Sequence, residues 1–88
     1  MILKVFSIRD IKADAYDKPF FLATVGQAVR AFSDEVERSD SMLNKHPEDY
    51  ILFELGEYND ALGVFTCLPA PRQLIAGSDV SAGRGQAA

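Results

Sequence analysis

Only one stretch of this chain carries a long helical stripe. Val25, Ala28, Val29, Phe32 and Val36 recur at the three-to-four-residue spacing of one helix face. Thr24 stands just before them and Gln27 three residues after it, the pattern of a capping box. Gln27, Arg30, Asp34, Glu37 and Arg38 fall mostly on the opposite side, and Asp34 and Arg38 are spaced i, i+4 with the acid first. The spacing predicts a helix over 25–39. A single helix of this length covers one face of a small sheet, which fixes what the rest of the chain has to supply.

The flanking segments read as strands. Ile2–Ile8 is rich in β-branched and aromatic residues, and Phe20–Ala23 follows Pro19, whose missing N–H is tolerated at a strand's first position. Tyr50–Leu55 and Val64–Leu68 are the third and fourth. The polar run Arg9–Lys18 reads as a loop, as does Asp40–Asp49 with its Pro47-Glu48-Asp49 turn chemistry. Asn59, Asp60 and Gly63 mark a hairpin. Pro69 and Pro71 are expected to stop the fourth strand, leaving Leu74-Ile75 as a last apolar anchor. The expected fold is α+β: a four-stranded antiparallel sheet with one helix, in the order β-β-α-β-β, within a single domain over residues 1–76. The small, polar residues 77–88 read as a disordered C-terminal tail.

Strand residues alternate between faces with period two. Ile51, Phe53 and Leu55 oppose Tyr50 and Leu52; Val64, Thr66 and Leu68 oppose Phe65 and Cys67; Phe20 and Leu22 oppose Phe21 and Ala23. Both faces therefore carry large apolar groups. An uncovered apolar face marks an interaction site, and the expectation is a homodimer formed through the sheet, or aromatics presented to a ligand. With 88 residues, the core supplies only on the order of 3–5 kcal/mol. Cys67 is the only cysteine and His46 the only histidine, so neither an intrachain disulfide nor a Cys/His metal cluster can reinforce it.

No apolar run reaches the roughly 18 residues of a membrane span. The N-terminus lacks the basic region and small-residue cleavage site of a signal peptide. A single unpaired cysteine fits a reducing compartment, so a cytoplasmic location is expected. His46 lies near Glu48 and Asp49, but no nucleophile accompanies it, and Cys67 in a strand reads as a small buried hydrophobe. There is no phosphate-cradling glycine loop, no CxxC and no zinc pattern. The chain reads as a binding protein without cofactor or metal, not an enzyme.

The net charge of −4 is uneven. Residues 1–30 carry Lys4, Arg9, Lys12, Lys18 and Arg30 against three aspartates, whereas residues 31–68 carry nine acids against Arg38 and Lys45. Single-stranded nucleic-acid binders combine basic residues with stacking rings. The candidate set for that role is Lys4, Arg9, Lys12, Tyr16, Lys18 and Arg30, with Phe6, Phe20 and Phe21 read as core. The alternative is an acidic surface of Asp34, Glu35, Glu37, Glu48 and Asp49 that docks a basic protein partner without touching DNA.

Several segments carry a family resemblance: Lys4–Asp10, Lys12–Tyr16 leading to Pro19-Phe20-Phe21, Gly26–Asp34, Lys45–Tyr50, and Leu52–Tyr58 followed by Gly63, Pro69 and Pro71. In order and spacing, over roughly residues 2–75, the chain resembles the small nonstructural protein of gokushovirus-type microviruses, phages with single-stranded DNA genomes. The resemblance implies a protein made in the infected bacterium's cytoplasm and absent from the mature virion. It also implies a role in genome replication or packaging, with single-stranded DNA as partner or, for the acidic surface, a phage or host replication protein. It supplies no binding residues, so the candidates above rest on charge and aromatic placement.

Overall fold

The computed structural model describes the backbone of residues 1–87 and the side chains through Gly83; Ala88, the end of the expected tail, lies outside the described residues. The elements are β1 (Ile2–Asp10), β2 (Ala15–Tyr16), β3 (Phe20–Leu22), α1 (Val25–Glu37), α2 (Met42–Lys45), a 3-10 turn (Pro47–Asp49), β4 (Tyr50–Asn59), β5 (Val64–Ala76) and α3 (Gly77–Ala87). The fold is α+β, and every strand pairing is antiparallel. Across the sheet the order is β2-β1-β4-β5, with β3 on the same side of β1 as β2. Thus β2 and β3 act as one edge strand interrupted at Asp17–Pro19, where a proline and two charged residues halt regular pairing.

The helix α1 forms as its caps and stripe require. Thr24 Oγ1 accepts from the Gln27 N–H at 3.2 Å, and Gln27 Oε1 accepts from the Ala23 N–H at 3.1 Å, one residue earlier than a standard capping box. Ala28, Phe32 and Val36 are buried against Phe6 and Leu52. Burying each large side chain contributes roughly 1.5–3 kcal/mol. The helix stops at Glu37, short of the expected Ser39, because Arg38 is extended. Its guanidinium reaches Glu35 at 3.1 Å and Asp40 at 2.9 Å, in place of the expected i, i+4 pair with Asp34.

The structure departs from the four-strand, one-helix expectation in four places. The region Arg9–Lys18 is not simply a loop: β1 continues to Asp10 and β2 turns back on it, with Asp10 Oδ1 accepting from the Lys12 and Ala13 N–H groups. The region Asp40–Asp49 contains α2, capped by the Ser41 hydroxyl, and the 3-10 turn. Pro69 and Pro71 do not stop the fourth strand. β5 is a sheet edge, and Leu68–Pro71 bow out opposite the single residue Leu55 before pairing resumes at Arg72, which is where an edge strand tolerates proline.

The fourth departure is the expected tail. Gly77–Ala87 is helical, with Val80 against the core. The Asp79 carboxylate accepts from the Ala76 N–H at 3.1 Å at the helix start. Gly77 is buried against Pro47, where a Cβ would lie 3.0 Å from two backbone atoms of Pro47 and still closer to its carbonyl oxygen. The glycine that reads as the beginning of a tail is the contact that docks α3.

Candidate nucleic-acid interface

Residues directly opposite in the pairing share a face, so the register sorts the sheet. Phe6, Ile8, Phe20, Leu22 and Leu52 face α1. Leu43 of α2 and Val80 of α3 pack on the same side, so all three helices lie against one face. The other face is made by Leu3, Val5, Ser7 and Arg9 of β1 and by their partners Tyr16, Phe21, Phe53, Gly56 and Tyr58, continuing to Phe65 and Cys67 on β5. No acidic side chain belongs to that set. The strand acids Glu54 and Glu57 point to the helix side, where they meet Lys4, and Arg72 pairs with Glu54.

A β-bulge creates this arrangement. Val5 pairs with Gly56 and Phe6 with Glu54, so Leu55 has no partner on β1 and the phase of β4 shifts by one. Strict alternation puts Tyr58 with Leu52 under the helix. The bulge carries Tyr58 to the open face. Gly56 follows the bulge and needs to be glycine: a Cβ there would fall 2.8 Å from the Cys67 Cα and closer to the Thr66 carbonyl oxygen.

The rings on the open face form two groups. Phe21, Tyr58 and Phe65 are mutually in contact, with centroids 5.6 Å apart for Phe21–Tyr58 and 4.7 Å for Tyr58–Phe65. Tyr16 meets Phe53 edge-on at 5.4 Å, and the Arg9 guanidinium sits 5.4 Å from the Tyr16 centroid. Between the groups the link Asp17–Pro19 leans over the sheet. The Ser7 hydroxyl donates to the Asp17 carbonyl at 2.6 Å. Pro19 walls an apolar slot of about 180 Å³ with Val5, Gly56, Phe65 and Cys67. Phe65 is 56% exposed, Tyr16 41% and Phe21 40%.

The six residues expected from sequence do not form one groove. Arg9 and Tyr16 are together on the open face, with Arg9 also paired to Asp14. Lys12 and Lys18 are exposed in the two connections flanking β2. Lys4 lies on the helix side between Glu54 and Glu57, and Arg30 is exposed on α1, two residues from buried Ala28 and Phe32 on either side. Phe21, read as core, and Cys67, read as a buried hydrophobe, are both exposed on the open face, whereas Phe6 and Phe20 do belong to the core. Phe53, Tyr58 and Phe65 are absent from the sequence-derived set. The period-two signal that separates Phe65 from Thr66 could have found Phe65, and Gly56 inside the strand is the one local sign of the bulge that reorients Tyr58.

Of the acidic alternative, Asp34 and Glu37 are exposed on α1 and Glu35 is held by Arg38. Glu48 and Asp49 sit in the 3-10 turn beside His46, and ligand atoms of the three lie within 4.8 Å of one another at the surface. The larger cavity, about 410 Å³, lies between α2 and the β1–β2 turn and is rimmed by Asp10, Asp17 and Tyr50. Loss of water around the Tyr50 hydroxyl, then the Asp10 and Asp49 carboxylates, raise its pKa above 10.0. That negative surround suits no phosphate. No described helix is long and apolar enough to cross a membrane.

No curated protein and no solved structure matches the chain. A family model described as "Phage ORF5 protein" matches residues 3–80, almost the whole of the sheet and helix framework just described. The chain belongs to the phage ORF5 protein family.

Proposed function

We propose that this phage protein is a nonstructural accessory factor of the gokushovirus type, acting in replication or packaging of a single-stranded DNA genome. It works in the cytoplasm of the infected host, stays out of the virion, and holds single-stranded DNA on the open face of its sheet. The observation that carries the reading is the exposed ring surface of Phe21, Tyr58 and Phe65, with Tyr16 and Phe53 beyond it, on a face whose strands contribute no acid. Unpaired bases stack on such rings whatever their sequence, at about 1–3 kcal/mol per base. The slot exposes only apolar surface to a base edge, which favours stacking over sequence reading. Arg9, Lys12 and Lys18 are the cations on or beside this face, and they set a modest phosphate contribution. Lys4 and Arg30 drop out of the proposed contact set because they lie on the helix side.

The test is a titration of single-stranded DNA at two salt concentrations, with duplex DNA as control. Binding that prefers single strands, weakens in salt and falls about tenfold or more in Phe65→Ala supports the reading. Charge reversal of Lys12 and Lys18 should flatten the salt dependence. No binding at low salt overturns direct DNA contact and directs attention to the exposed acids Asp34 and Glu37 of α1 as a docking surface for a basic replication protein.

A further inference from the structure

A sheet edge presents unpaired N–H and C=O groups, and proteins guard such edges with short strands, lysine, proline or bulges. One edge here has the first three of these. β2 and β3 are two and three residues long, and Asp17-Lys18-Pro19 separates them. The distal half of the opposite edge is guarded as well: Leu68–Pro71 bow away from β4, with Pro69 and Pro71 inside the bow and Arg72 after it. The proximal half, Val64–Leu68, has no charge and no proline. It pairs regularly with β4 on its inner side from Val64 to Cys67, and Val64 and Phe65 are 50% and 56% exposed.

We propose that Val64–Leu68 pairs antiparallel with the same stretch of a second copy of this chain. Five residues a side is far below the roughly 20–30 of a standard interface, so the pairing is reversible and concentration-dependent. The two ends fix its register. The hairpin turn precedes Val64 and the bow begins after Leu68, so a symmetric pairing that uses the whole stretch places Thr66 opposite Thr66 of the second copy. Phe65 then lies opposite the second copy's Cys67. Phe65 and Cys67 both belong to the open face, so the Phe21-Tyr58-Phe65 clusters of the two copies adjoin and form one continuous ring surface. A threonine pair is a favourable cross-strand match, whereas like charges directly opposite are not.

The protein alone tests this, so its outcome is separable from that of DNA binding. Opposed residues of an antiparallel pair have Cα atoms about 4.5–5.5 Å apart, within disulfide reach. Thr66→Cys in a Cys67→Ser background should therefore give a disulfide dimer on mild oxidation much faster than Leu62→Cys in the same background, since Leu62 lies in the turn. In sedimentation equilibrium the unaltered chain should pass from monomer to dimer between micromolar and millimolar concentration, and Thr66→Lys should remain monomeric. Equal cross-linking of the two cysteine variants overturns the proposal. A monomer at millimolar concentration does so too. A dimer that persists in Thr66→Lys would mean that the second copy sits on the sheet face and not on its edge, which also overturns it.

Discussion

Two of the three glycines of α3, Gly77 and Gly83, should respond to alanine in opposite directions. At Gly77 a Cβ meets the Pro47 backbone, with two atoms at 3.0 Å and the carbonyl oxygen nearer, and backbone cannot rotate aside. Overpacking of this kind costs about 1–3 kcal/mol. The helix-propensity gain of Gly→Ala reaches only about 1 kcal/mol even in a helix interior, and Gly77 is the first residue of α3. Gly77→Ala should therefore be net destabilising by about 1–2 kcal/mol, lowering Tm by roughly 4–16 °C at the 4–8 °C per kcal/mol of a domain this size. Gly83 lies inside the same helix with nothing within 4 Å of its would-be Cβ. Gly83→Ala should stabilise by about 0.5–1 kcal/mol. Urea denaturation followed by circular dichroism reads both. If residues 77–88 were an undocked tail, neither substitution would move the midpoint. Two unchanged midpoints, or two shifts of the same sign, would refute the docking of α3 through Gly77.

Two further outcomes follow from local geometry. The Tyr50 hydroxyl titrates above its unfolded value of 10.0, so the neutral phenol is the form that folding favours. Its stabilising contribution is complete below pH 10 and is lost as pH rises through the folded value; Tyr50→Phe should weaken the alkaline decline in stability, read from urea midpoints across that range, and an unaltered decline would sink the assignment. Thr24→Ala removes the acceptor for the Gln27 N–H and should cost about 1 kcal/mol in chemical denaturation, while Thr24→Ser should be close to neutral.

Some of this protein is written locally. The cap at Thr24 and Gln27 and the stripe Ala28, Phe32, Val36 need only neighbours within one turn of helix, and α1 begins where they place it. The opposition of Phe20 to Phe21 and of Phe65 to Thr66 follows from the strand period, and both pairs divide between faces as alternation requires. From these alone the chain is an α+β protein whose helix leaves one apolar sheet face over.

What that face contains was decided by contacts between distant residues. The extra residue Leu55 shifts β4 by one position, so Tyr58 joins Phe21 and Phe65, and Glu57 turns to the helix side that Glu54 already faces. Gly56 inside the strand is a local hint of a bulge, but the bulge's position and phase exist because β1 and β5 both pair across it. Pro69 and Pro71 look like stops, yet at an edge they need only a bow in the strand. Lys4 and Arg30 join the same basic third of the sequence as Arg9, but the sheet stands between them. Gly77 and Val80 have too little side chain to signal a helix, and they form one because Pro47 and the core are waiting thirty residues away in the chain. Helix caps and strand alternation are short-range, so sequence carries them; bulge phase, edge position and docking are properties of pairs of segments, and only the folded chain brings those pairs together.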